Sequence, residues 1–314
     1  ANLGLDLRYN INSSTTLNMT FNPDFGQVEA DPSVLNLSAF ETRLDEKRPF
    51  FVQGANFFNS WLNMFNSRRI GRRPSFIEPS TGDIIDRPNE TTILSAAKIL
   101  GQTSSGVKYG VINALTNEEF GTREYDIDGE TKREKFLVEP FANYFVGRAT
   151  KPIINELSAI GFMTTDLKRN GFKDIARSFK GDWLINLLDN KLVFTGEVGT
   201  TINDAETGFG GRYRVSYRNP VLWEFVTWGG FLDDKWNVSA MGFQQKNNNW
   251  YSGARLSLRR DQPKGVFINQ NLNFRLWISG LHNGLLTRNN FEIESENRFT
   301  NYWRFGFQVE LNPE

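Results

Sequence analysis

Hydrophobic and polar positions alternate along most of this chain. Leu3, Leu5, Leu7, Tyr9 and Ile11 are separated by Gly4, Asp6, Arg8 and Asn10, a period of two that signals a half-buried strand. After Asn12-Ser13-Ser14, Leu17, Met19 and Phe21 resume the pattern, so the two segments read as a hairpin. Further candidate strands lie at 93–101, 106–116, 136–147, 155–166, 181–188, 191–201, 212–218, 221–230, 236–245, 250–260, 266–279, 290–296 and 301–311. Asp189-Asn190 is the expected tight turn between two of them. Residues 117–135 read as a polar, charged loop. That makes about fifteen strand-like segments and no stretch of helical period.

One region breaks the rhythm. Residues 22–74 mix charges, prolines and aromatics without sustained periodicity, and the strands return only after residue 92. A connection this long inside an all-β pattern is usually functional or folded against something. The expectation is an all-β, antiparallel transmembrane β-barrel over 1–314, with residues 22–92 as a plug-like insertion folded into or across its mouth. The segment Arg212-Tyr213-Arg214-Val215-Ser216-Tyr217-Arg218 is the most diagnostic. Its arginines and serine share one face and Tyr, Val, Tyr the other, as a lipid face opposed to a wet lumen requires. Trp223, Trp228, Trp236, Trp250, Tyr251, Tyr302 and Trp303 lie near strand ends, where interfacial aromatic girdles sit.

Composition sharpens this reading. Aromatics reach 14%, with 27 Phe and 8 Trp, while 36 basic residues balance 36 acidic ones, so bulk charge points to no nucleic-acid partner. There is no Cys and a single His, His282, which excludes disulfides, thiolate metal sites and imidazole-rich ones; no cofactor and no metal are expected. The mean hydropathy of −0.46 is no argument against a membrane barrel, whose apolar half is hidden in alternation. Ala1 opens directly into strand pattern, suggesting a processed N-terminus, and the final Leu-Asn-Pro-Glu lacks a closing aromatic, so the chain is expected to be part of a larger barrel.

The insertion also carries a resemblance. Asn22-Pro23-Asp24-Phe25-Gly26-Gln27-Val28-Glu29-Ala30-Asp31-Pro32, Asn36-Leu37, Phe40-Glu41, Glu46-Lys47-Arg48-Pro49-Phe50-Phe51-Val52-Gln53-Gly54 and Ser67-Arg68-Arg69-Ile70-Gly71 occur in order. Ala97-Lys98 with Gly101, Val138-Glu139-Pro140 with Asn143-Tyr144, and Met241-Gly242-Phe243 before Asn247-Asn248-Asn249 follow. Together they resemble a family of uncharacterised bacterial outer-membrane barrels that usually follow a domain similar to carbohydrate-binding module family 9. That domain and the family's later strands are missing from this chain. The resemblance implies a Gram-negative outer-membrane location and brings no established activity.

Three functions compete. A porin-like channel, transporter or envelope-complex scaffold, in contact with outer-membrane lipid and other envelope proteins, would use Asp24, Glu29, Asp31, Glu41, Glu46, Lys47, Arg48, Arg68, Arg69, Arg212, Arg214 and Arg218 as lumen or plug contacts. A surface glycan-binding protein would use Phe50, Phe51, Phe57, Phe58 and Trp61 as a stacking platform; such a cluster is more often the small core that lets a plug fold. A hydrolase would need two carboxylates of the insertion at a defined separation, and is the least favoured. The same acidic residues offer oxygen ligands to Ca²⁺, but without EF-hand spacing. Arg68, Arg69, Arg72 and Arg73 could gather an anion, a lipid head group or an acidic sugar, with a solvated charge run as the plainer alternative. No catalytic residue is assigned.

Overall fold

The computed structural model describes residues 3–23, 41–78, 82–204, 206–219 and 221–312. Seventeen strands are present among them: β1 (Leu5–Asn12), β2 (Thr15–Phe21), β3 (Asp83–Asp86), β4 (Ile93–Gln102), β5 (Lys108–Thr116), β6 (Glu119–Ile127), β7 (Glu130–Glu139), β8 (Ala142–Ile153), β9 (Asn155–Arg169), β10 (Ala176–Leu187), β11 (Leu192–Asn203), β12 (Glu206–Arg218), β13 (Trp223–Leu232), β14 (Asn249–Arg260), β15 (Phe267–Leu281), β16 (Leu286–Phe299) and β17 (Arg304–Leu311). Among the same residues helix is confined to the single turn α1 (Pro49–Val52) and two short 3₁₀ turns at Ala55–Phe58 and Ser67–Arg69.

Fourteen of the strands form one antiparallel sheet in the order β1-β2-β4-β5-β8 through β17, and β3-β6-β7 form a separate small sheet. All-β antiparallel architecture is therefore present. The large sheet is not closed: β1 and β17 are its two edges, and no pairing joins them.

Register divides the side chains into two faces. One row of cross-strand partners runs Ala96, Ala114, Tyr144, Leu167, Ala176, and the next runs Lys98, Ile112, Val146, Thr165, Ser178, Thr201. These rows carry the insertion and are buried. The opposite face is exposed and apolar, with Phe162 and Val198 each 52% exposed and Phe209, Tyr213, Phe225, Phe231, Phe305 and Phe307 beside them. Glycines on that face let its aromatics lie flat: a Cβ on Gly196 would stand 2.3 Å from Cζ2 of Trp183.

The sheet curls strongly around the insertion. Arg148 on β8 donates to the carbonyl of Asn59, while Tyr251 on β14 meets the ring of Trp61, two residues on. Six strand spacings separate β8 from β14, about 29 Å if flat. Two neighbouring residues can reach both only if the wall bends round them.

The connections are sorted by length. At one end every turn is short: 13–14, 103–107, 154, 188–191, 219–222, 261–266 and 300–303. The three long connections, 22–92, 117–141 and 233–248, all leave the other end.

Several sequence expectations change. Residues 117–135 are no loop: they supply β6 and most of β7, joined by Asp128-Gly129 with φ of 54° and 82°, the left-handed pair a two-residue hairpin needs. The expected strand 136–147 is split at Pro140, which has no N–H to donate to a ladder, so β7 ends at Glu139 and β8 starts at Ala142. The expected strand 236–245 is a turn-rich segment whose Trp236, Val238, Met241 and Phe243 are buried against the insertion. Trp236, 1% exposed, is thus a core residue and no part of a girdle. Trp228 and Tyr251 likewise face inward, in register with Arg214 and Gly230.

Candidate functional site

The chemistry-bearing residues gather where the insertion meets the sheet. Within residues 41–78 the organising group is Glu46. One carboxylate oxygen accepts from the backbone N–H of Lys47 and Arg48 at 3.1 and 2.9 Å and from Nε of Arg48 at 2.8 Å. The other accepts from Arg48 Nη2 at 2.7 Å and from the Ser67 hydroxyl at 2.6 Å. Burial pushes the Glu46 carboxyl up, but the Arg48 hydrogen bond and charge and the Ser67 hydroxyl outweigh it and hold the group below its ordinary 4.5. Arg48 reaches on to the carbonyls of Ile70 and Ser67 at 2.7 and 2.8 Å, and its guanidinium lies 4.4 Å from the centre of the Phe51 ring. This pair therefore ties α1 to the second 3₁₀ turn. Arg69 ion-pairs with Glu41 at 2.5 Å and donates to the Gly242 carbonyl, and Arg68 donates to the Asp45 carbonyl at 2.7 Å.

The aromatics of the insertion divide into two groups. Phe50 and Phe51, and Phe57 and Phe58, pack edge to face at 5.0 and 5.5 Å, and Phe58 meets Phe65 at 6.1 Å. Phe51 and Phe58 are buried against Ala96, Ile112, Ala114 and Val146, with Phe50 and Phe57 packed on the same cluster, so these four form a core and offer no free ring face. Trp61 stands apart, 5.8 Å from Tyr251 and 5.3 Å from the Arg212 guanidinium.

The sheet holds the insertion through buried charges. Lys98, 1% exposed, donates from Nζ to the carbonyls of Phe50 and Gln53, capping α1. Glu197 accepts from the Ser60 hydroxyl at 2.9 Å and the Trp61 N–H at 2.8 Å. Lys180 bridges Glu197 and Asp182, each at 2.9 Å, and Asp182 also pairs with Arg148 at 3.1 Å. From the far side, segment 233–248 adds backbone bonds: Asn66 N–H to the Met241 carbonyl at 2.8 Å and Phe243 N–H to the Asn63 carbonyl at 3.0 Å. Gly242 is required there, since a Cβ would fall 2.1 Å from the Asn63 oxygen.

Beside Trp61 this leaves a cavity of about 520 Å³ lined by Arg43, Arg148, Lys180, Asp182, Glu197 and Arg212, among others. Of the three β12 arginines read from sequence, Arg212 stands 3.3 Å from Glu197, Arg218 lies 4.0 Å from Glu224, and Arg214 is exposed on the same face. Asp24, Glu29 and Asp31 lie outside the described residues. Of the described carboxylates of the hydrolase alternative, Glu41 and Glu46 are held in ion pairs, whereas Asp45 is exposed and takes part through its backbone carbonyl. Among the described residues no group of three His, Cys, Asp or Glu side chains is placed to hold a metal ion. Among the described residues His282 meets the Leu232 carbonyl and the Phe231 ring.

Lys98, Arg148, Lys180, Asp182 and Glu197 were not legible as site residues. In an alternating strand a lone charge looks like any solvated position. Lys98 alone carried a signal, a single charge inside the small apolar run Ser95-Ala96-Ala97-Lys98-Ile99-Leu100.

No curated protein sequence and no solved structure matches this chain. A family profile described as a domain of unknown function, DUF5916, matches residues 1–314, so the chain belongs to that family.

Proposed function

We propose that the sheet forms the wall of an outer-membrane β-barrel, and that the insertion sits inside it as a plug that limits what passes or docks. The observation that carries this reading is the inverted polarity of the sheet. Lys98, Lys180, Glu197 and Asn290 are buried on the insertion side, while many Phe, Tyr, Leu and Val side chains are exposed on the other. A water-soluble sandwich has the opposite arrangement, and an exposed apolar face of this extent marks an interface. On β13 the apolar positions run from Trp223 to Phe231, nine residues, the length a tilted strand needs to cross a bilayer. The sorting of short turns to one end and long connections to the other follows the pattern of outer-membrane barrels, whose periplasmic turns are short.

The free edges add a requirement. Unpaired backbone groups in hydrocarbon cost several kcal/mol each, so β1 and β17 must be paired in the membrane state. Detergent extraction followed by reconstitution into planar bilayers tests the reading. Detergent-dependent solubility with small or intermittent conductance is expected. A chain that stays monodisperse in buffer without detergent would falsify it.

A further inference from the structure

The cavity beside Trp61 is out of charge balance. Arg43, Arg148, Lys180 and Arg212 line it as cations, against the carboxylates of Asp182 and Glu197 alone. Both carboxylates are fully engaged: Asp182 with Arg148 and Lys180, and Glu197 with Lys180, Arg212, Ser60 and the Trp61 N–H. Among the described residues Arg43 meets the Asn63 side-chain oxygen, at 3.3 Å, and the Phe243 ring, and no carboxylate. Nε of Arg148 is buried with no acceptor. Among the described residues four cations thus face two carboxylates, a net of two positive charges, and Arg43 and Arg212 are exposed on the open side of the recess, where an incoming anion can reach them.

The wall of the recess is not uniformly polar. Trp61 and Phe65, both half-buried, share it with the cations. A bare inorganic ion would satisfy the charge and leave this apolar surface wet. An anion carrying a flat or apolar body satisfies both.

We infer that this recess binds a small organic anion, with its charged group between Arg212, Arg43 and Arg148 and its apolar body against Trp61 and Phe65. The site lies on the insertion side of the sheet and stands whether or not the opposite face meets lipid.

Calorimetric titration of the detergent-solubilised full chain tests this, with benzoate, benzyl alcohol of similar size but no charge, and inorganic phosphate as probes. Benzoate is expected to bind at least about tenfold more tightly than either of the others. Arg212→Gln should weaken benzoate about tenfold, while Arg214→Gln, next along the same face but outside the recess, should change it by less than about twofold. Equal binding of benzoate and benzyl alcohol, or none of either, overturns the anion site. Equal binding of benzoate and phosphate overturns the organic solute and leaves an ion-pairing recess. Equal loss in the two arginine variants overturns the location. Insertion into bilayers is measured separately, so failure of the membrane reading does not register as failure here.

Discussion

One face of the large sheet is built in two ways. From β4 to β11, where the insertion covers it, that face carries Ala96, Ala114, Val146, Gly110 and Gly199, small or apolar positions broken by a few charges that bond to the insertion or to one another. Past Tyr251, from Arg255 on β14 to β17, no described residue of the insertion is packed on it, and it carries Arg255, Asn271, Asn273, Arg275, Glu292, Glu294 and Glu296, a field of charges and amides. The strands, their register and their spacing are continuous across the boundary. What differs is the partner: protein on one stretch, water on the other. Side-chain size on this face therefore reports where the insertion lies, and the charges that interrupt the covered stretch report what fixes it there.

The strongest way to break this contrast is to remove the pair that holds the insertion together. Glu46→Ala leaves Arg48 buried without its carboxylate, and loss of about 3–5 kcal/mol is expected. Limited proteolysis should then cut within residues 41–78 while the wall strands stay resistant. A second test addresses the exposed face. Val198→Arg should cost about 2–4 kcal/mol in urea titrations in lipid bilayers, whereas Asn271→Arg on the uncovered inner stretch should cost under about 0.5 kcal/mol. Equal effects at the two positions would remove the distinction between a lipid face and a wet one. Closer in, Gly110→Leu drives a side chain into Phe57, Phe58 and Leu100, which a Cβ alone already approaches to 2.8–2.9 Å; about 1–3 kcal/mol is expected. The same change at Gly306, whose neighbours are 3.1 Å away or more on the uncovered stretch, should cost less.

The smallest expected effect is on pH. Glu46 titrates below its ordinary value when folded, so its contribution is present above the unfolded value of 4.5 and is lost as pH falls through the depressed folded value. Protease protection of the insertion should therefore weaken on acidification below about pH 4.5 in the wild type, and lose that part of its pH dependence in Glu46→Gln. An unchanged profile in Glu46→Gln would assign the acid sensitivity to other groups.

Much of the wall was legible because a period of two is a local property. Each strand's alternation, as in Arg212 to Arg218, states its own two faces without reference to its neighbours. The failures are equally local in origin. Residues 119–127 and 130–139 form β6 and β7 outside the main sheet, with both faces partly wet, so their charges hid the alternation; only Asp128-Gly129 marked the turn. Residues 236–245 mislead in the other direction, because Trp236 and Val238 are apolar for burial against Leu62 and Met64, and Met241 for burial in the core with Phe51 and Phe58, not for pairing. The site was illegible for a different reason. Glu197 and Trp61 are 136 positions apart, and no local pattern in either segment announces the other.

The place of the insertion in the chain also bears on how the protein reaches its final form. Among the described residues β1 and β2 come before it, and twelve strands of the large sheet come after. The strands that hold Trp61 lie far downstream of it, so docking Glu197 and Tyr251 onto it closes very long loops. Such non-local closure is slow, and the early core of Phe51 and Phe58 on β4 and β5 gives it a nucleus close in sequence. The contacts of the insertion with β4 and β5 are therefore expected to form before those with β11 and β14.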